Sequence, residues 1–485
     1  MGVCEPSNLE TASSPRICSG VRTFAARHLP ESRSAALSRP YTQFLCEQAP
    51  LSSARAAPSR GPGRQNCRMV QPGVNTIATP PPPGRREEAG EPKMERILHF
   101  ERAEYATRLA AVKAEMSKRG LDILLISEPP NQNYLTGYDA YSFYTPQMAI
   151  VALDRHEPIM ITRGMDATSS KITTYLSDDS IRGFPDSYVN STERSAYEYV
   201  AKIVQELGGE TAVIGVEMGG YYYSARAHAD LVKALPQARF EDADLLVNWI
   251  RLVKSPAELV FMRQAGLIGD AVINRVTETA EPGVRECDLA AAAYHQEISG
   301  TPEFGGTYNS SVVHLCIGER ALAPHSTWTD KPLSNNTVIN FEVHGTRRRY
   351  QINVSRTVYL GKPSTDYVKL ADIAIEALNA GLDSVRPGQA CSEVFEAFHK
   401  VLSRNGIEKD QRIGYPLGIG YPPTVAERTA SIRREEKTVL QPGMCFHMMT
   451  GLWLGDQSVT ITQPFAVTET RYEPLTRTPR TLVVK

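Results

Sequence analysis

One pattern is written twice in the second half of this chain. A helix with Met262, Ala265, Ile268 and Val272 on one face is broken by Glu281-Pro282-Gly283, and a second helix runs on to Gly300. About 105 residues later a helix with Leu370, Ile373, Ala377 and Leu382 is broken by Arg386-Pro387-Gly388, and a second follows through Val394, Phe398 and Val401 to Gly406. The apolar spacing is helical and the Pro-Gly pairs stop it. Each helix pair precedes strand-like sequence, at Val338–Val343 and Val354–Leu360, then at Cys445–Leu454 and Val459–Val467. Two copies of helix, turn, helix and hairpin predict four helices on one antiparallel sheet, an α+β arrangement.

The sequence before the repeat has a different rhythm. A helix carrying Leu109, Val112 and Met116 stops at Gly120. Strands are expected at Asp122–Ser127, Met148–Ala152, Ile159–Thr162 and Thr211–Val216, with a helix at Ala196–Leu207. This alternation predicts an α/β domain over 94–250, joined to the repeat domain, 251–485, through Arg251–Leu259 (RLVKSPAEL). There Ser255 can cap a helix with Pro256 at its first position and Glu258 at its third.

Residues 1–93 are unlike the rest. They contain no Asp, and up to Arg68 they hold nine Arg against four Glu. Such a segment buries too little apolar surface to offset its ordering entropy, so a disordered extension is expected. It reads either as a transit peptide or as an extension without function, with translation starting at Met69 or Met94. The expected location is the cytoplasm, or the mitochondrion if the transit-peptide reading holds. A formal net charge of −1 gives no case for nucleic acid or an anionic membrane surface as partner. No apolar run reaches the ~18 residues of a membrane span. The eight cysteines form no CxxC pair, which favours free thiols in a reducing compartment.

The stretch Phe341–Gly361, FEVHGTRRRYQINVSRTVYLG, together with the duplicated layout and RLVKSPAEL, resembles the pita-bread superfamily of methionine aminopeptidase, aminopeptidase P, prolidase and creatinase. The resemblance covers roughly 95–485. It implies a creatinase-like N-terminal α/β domain, a pita-bread catalytic domain and a homodimer. Its peptidases hold two metal ions through two Asp, one His and two Glu. In this chain those places fall on Glu342, Asn353, Tyr415, a residue near Met449, and Thr462 or Gln463. Asp456 is the only acid between Cys445 and Val467. That leaves too little charge for a divalent pair, so no metal and no cofactor are expected.

The segments YDAYSFY (138–144), TRGMDA (162–167), FPDSYVNSTER (184–194), APHSTWTDKP (323–332), GYPLGIGYPP (414–423) and MTGLW (449–453) resemble the ectoine hydrolase group block for block. This implies metal-independent opening of a cyclic amidine, ectoine and with it 5-hydroxyectoine, to N-acetyl-diaminobutyrate, with a deacetylase as pathway partner. The resemblance makes Glu342 the attacking carboxylate and, through creatinase, His325 the acid–base. An amidinium carbon is already electrophilic, so a metal Lewis acid is dispensable, and an anion beside it stabilises the cation. For the substrate carboxylate Arg163 is favoured over Arg356 and Arg347–Arg349, the last read as a solvated turn. Tyr141, Phe143, Trp328, Tyr415 and Trp453 are expected around the substrate. The other histidines, including His314, read as structural, with His344 and His447 near enough in sequence to the site to leave their role open. Two other readings remain: a creatinase-like hydrolase of another small amidine or guanidine, and an inactive peptidase relative that binds partners.

Overall fold

The computed structural model describes residues 95–485; the extension expected at 1–93 lies outside them. The N-terminal domain runs α1 (Arg102–Arg119), β1 (Ile123–Ile126), α2 (Pro129–Thr136), β2 (Met148–Ala152), β3 (Ile159–Arg163), α3 (Ala167–Thr173), β4 (Ile181–Phe184), α4 (Ala196–Glu206), β5 (Val213–Val216), α5 (Ala225–Ala234) and β6 (Arg239–Asp242), and α6 (Leu246–Arg251) leads out of it. Its six strands lie in the order β4-β3-β2-β1-β5-β6. The pairs β1–β2 and β2–β3 are antiparallel; the outer pairs are parallel. Gly120 closes α1 at φ 66°, a left-handed cap that returns its N–H to the last turn.

The second domain carries α7 (Pro256–Thr279), α8 (Glu286–Ser299), β7 (His314–Ile317), β8 (Thr337–Arg347), β9 (Tyr350–Leu360), α9 (Thr365–Ser384), α10 (Cys391–Arg404), β10 (Gly414–Tyr421), β11 (Thr424–Ala426), β12 (Cys445–Leu454), β13 (Gln457–Val467), β14 (Tyr472–Pro474) and β15 (Val483–Val484). The main path of the sheet is β14-β13-β12-β10-β9-β8-β7. Its pairings are antiparallel, and β15 joins β9 in parallel. The duplication survives in detail. Gly283 and Gly388 hold φ of 89° and 88°. Each donates its N–H to a leucine carbonyl on a returning loop, Leu333 at 2.8 Å and Leu440 at 2.9 Å. A side chain at either glycine would be strained at that φ. The two helix pairs pack on the sheet in separate apolar clusters: α7 and α8 share theirs with β8 and β9, and α9 and α10 share theirs with β12 and β13.

Residues Gly414–Tyr421 of the stretch GYPLGIGYPP form strand β10. Its proline and glycines argue against a strand, but the gap between β9 and β12 imposes extended backbone. The Arg347–Arg349 run is also not simply a solvated tip. Arg348 and Arg349 take φ of 48° and 70°, a two-residue hairpin turn that favours glycine or asparagine. Arg349 is buried, bonds Asp139 of the N-terminal domain at 2.7 Å, and lies over the rings of Tyr308 and Tyr421. Docking the two domains compensates the backbone strain.

The linker is built around a buried ion pair. Ser255 and Glu258 form the expected capping box, with Pro256 in the first turn. Lys254 Nζ meets Glu427 Oε2 at 2.6 Å, both side chains almost without solvent exposure. Asn248 donates to the Glu427 carbonyl, and Asn131 of the N-terminal domain donates to Asn248 and to Glu217. Among the described residues the cysteines Cys287, Cys316, Cys391 and Cys445 are free thiols. No helix among them is long and apolar enough to cross a membrane.

Breaking the Lys254 pair from one side strands a charge in the core. Glu427→Ala is expected to destabilise the protein by about 3–5 kcal/mol, read as a lower urea midpoint. A loss under about 1 kcal/mol would show that the pair is not confined as described.

Candidate active site

The β8–β9 ladder is in register along its length, pairing Glu342 with Ser355 and His344 with Asn353. Alternation of side chains then sends Glu342, Asn353 and Ser355 to one cavity of about 780 Å³. Tyr415 from β10, Met449 from β12 and Thr462 from β13 line the same cavity. The five positions at which the resemblance places the peptidases' metal ligands therefore converge here. Gln463 does not join them: it is buried with its amide on Thr476.

Glu342 is held by donors. Asn353 Nδ2 donates to its Oε1 at 2.9 Å and Ser355 Oγ to its Oε2 at 3.0 Å. Asn353 Nδ2 also lies 3.4 Å from the Tyr415 hydroxyl, which meets His447 Nδ1 at 2.9 Å. His314 sits opposite Glu342 on β7, its Nδ1 3.8 Å from the carboxylate. Burial pushes the Glu342 carboxyl up, but His447, His314, His344 and the Asn353 amide outweigh it and hold the group below its ordinary value of 4.5. Burial pushes His447 down to about 4 and also lowers His314, while the Glu342 carboxylate draws both back toward their charged forms.

A metal pair does not fit this donor set. One carboxylate, an amide, a phenol, a thioether and a hydroxyl occupy the five places, and a divalent pair needs several anionic oxygens. Among the described residues no group of three or more His, Cys, Asp or Glu is placed to hold an ion. The Asn353 amide gives Glu342 a hydrogen-bond donor where an aspartate would repel it.

His325 lines the same cavity from an exposed rim. Its ring centroid is 5.6 Å from that of His314. Cys316 Sγ, buried beneath, faces the carbonyls of Pro324 and Ser326 at 3.6 and 3.4 Å, one on each side of His325. Trp453 completes the wall, its indole N–H on Ala321 O at 3.1 Å.

Four expected substrate contacts lie outside this cavity within the chain. Arg163 is paired to Asp186 on the surface of the N-terminal domain. Tyr141 and Phe143 belong to an aromatic cluster with Tyr308, Tyr222 and Tyr421 at the domain junction. Trp328 packs edge-on against Tyr294. Arg356 is fully engaged elsewhere, donating to the carbonyls of Ser355, Thr462, Thr478 and Pro479. His314, read from sequence as structural, is brought to Glu342 by a cross-strand pairing that no local motif announces.

Residues 260–469 match the model of metallopeptidase family M24, and residues 108–253 match the creatinase/prolidase N-terminal domain. An uncharacterized hydrolase/peptidase of Sinorhizobium fredii is 50% identical over 390 residues, covering 80% of this chain and all of the relative. The ectoine hydrolase of Halomonas elongata is 41% identical over 395 residues, covering 80% of this chain and 99% of that one. Dipeptidase PepE from Mycobacterium ulcerans superposes with a TM-score of 0.66 at 25% identity, over 79% of this chain and 99% of the other. The Xaa-Pro dipeptidase of Bacillus anthracis gives 0.66 at 20%, over 79% and 100%, and shares the fold. The chain belongs to the M24 family, a hydrolase of C–N bonds on the creatinase/prolidase plan. Within that family it is similar to the ectoine hydrolase of Halomonas elongata.

The depressed Glu342 pKa has a defined sign. The carboxylate stays charged above its folded value, which lies below 4.5. Calorimetric affinity for a small amidinium such as acetamidine is therefore expected to persist down to pH 4.5 and to fall only below it. Glu342→Gln should weaken that affinity at pH 7. A midpoint above 4.5 in the wild-type protein contradicts this electrostatic account.

Proposed function

We propose that this protein hydrolyses the cyclic amidine ectoine, and 5-hydroxyectoine with it, to the N-acetylated diaminobutyrate without a metal ion. The observation that carries the proposal is the single carboxylate, Glu342, clamped by Asn353 and Ser355 in a cavity whose other four ligand positions carry no acid. The 41% identity to an ectoine hydrolase supports the choice of substrate.

In this reading Glu342 stabilises the amidinium and attacks its central carbon. The ring C–N bond then breaks as the departing nitrogen takes a proton. Water adds to the same carbon and Glu342 leaves as a carboxylate, so one water is consumed and an acetamide remains on the opened chain. His325, on the cavity rim, supplies the proton to the leaving nitrogen and takes one from the water. His447 fixes the Tyr415 hydroxyl beside Asn353, which keeps the clamp on Glu342 in place. The free thiols support a reducing, cytoplasmic setting. We place the active form as a homodimer and a deacetylase as the next enzyme.

Purified protein treated with chelator is expected to open ectoine at an unchanged rate, followed by NMR, and to leave creatine untouched. Loss of activity that returns with added divalent metal would sink the metal-free reading. His325→Ala is expected to lower turnover about 10²–10⁴-fold; turnover close to wild type would remove His325 from the mechanism.

A further inference from the structure

We propose that Arg412, assisted by Lys409, anchors the carboxylate of the substrate, so that the cavity selects zwitterions over simple amidines. This rests on the reading of the cavity as an amidine-hydrolysing site. Apart from its histidines, the cationic side chains of the wall are these two, both on the segment between α10 and β10. The acids of the wall are Glu342, on the floor, and Glu408, which lies 3.4 Å from His399.

The arginines favoured by sequence position are already committed. Arg163 sits on Asp186, Arg349 on Asp139, and Arg356 on four backbone carbonyls. Arg347 bonds Gln264 and the carbonyl of Gly305. The Arg412 guanidinium instead stacks over the Tyr415 ring, 5.0 Å from its centroid. Stacking occupies a face of the guanidinium and leaves its N–H edge for a planar acceptor, which a carboxylate matches with two parallel hydrogen bonds.

Tyr415 also sets the geometry. Its hydroxyl end reaches Asn353, which bonds Glu342, while its ring carries Arg412. The cation and the anion of the cavity therefore sit along one aromatic side chain, a separation suited to a compact ring with an amidinium at one side and a carboxylate at the other. Lys409 Nζ lies beside them, on the Gly451 carbonyl at 3.1 Å and 5.7 Å from the Trp453 ring. Burial lowers its pKa; an anion bound alongside would favour its charged form.

The test compares ectoine with the same methyl-tetrahydropyrimidine ring lacking the carboxylate. Wild-type protein is expected to prefer ectoine by about 10²-fold or more in kcat/KM. Arg412→Gln should cut that preference by at least about tenfold, Lys409→Met by less, with Arg412→Lys between wild type and Arg412→Gln. Arg412 is exposed, so its replacement does not disturb a core. Equal losses on both substrates, leaving the preference intact, would overturn the anchor while sparing the assignment of function. Failure of the wild-type protein to open either ring would overturn the functional reading, and the anchor with it.

Discussion

The register of the β8–β9 hairpin is the constraint on which the site depends. Its ladder runs from Thr337 opposite Leu360 to Arg347 opposite Tyr350, closed by a two-residue turn. A slip of one residue would move Glu342, Asn353 and Ser355 to the opposite face and put apolar neighbours into the cavity. The strained turn stays in place because Arg349 is tied to Asp139 of the N-terminal domain. Domain docking and active-site geometry are in this way coupled through one arginine.

The second theme is replacement of charge. A pair of divalent cations balances several carboxylates, and without it those carboxylates would repel one another in a confined space. This chain keeps one acid and surrounds it with the Asn353 amide, the Ser355 hydroxyl and imidazoles whose charge burial opposes. Such a floor suits a substrate that brings its own positive charge. It is a poor site for polarising a neutral peptide carbonyl, which needs an electrophile from the protein side.

Much of this was legible in the sequence because it is local. The Pro-Gly breaks at 282–283 and 387–388, the capping box at Ser255, and the hairpin strands each follow from neighbours in the chain. Met148–Ala152 and Cys445–Leu454 are strands with the expected bounds. What escaped was set by tertiary context. Strand β10 is extended despite Pro416 and three glycines because strands on either side demand it. His314 reaches Glu342 only across β7 and β8, and Arg412 meets the site only because the α10–β10 segment folds over Tyr415. Arg163, expected on the substrate carboxylate, lies outside the cavity within the chain and pairs with Asp186.

The account turns on a covalent bond to one residue. Acid-quenching the enzyme during turnover of ectoine, followed by intact-mass and peptide analysis, tests it directly. The account predicts an adduct of one ectoine per chain, mapped to the peptide that contains Glu342 and absent from Glu342→Gln. An adduct on any other residue, or ectoine turnover by Glu342→Gln at the wild-type rate, would contradict it.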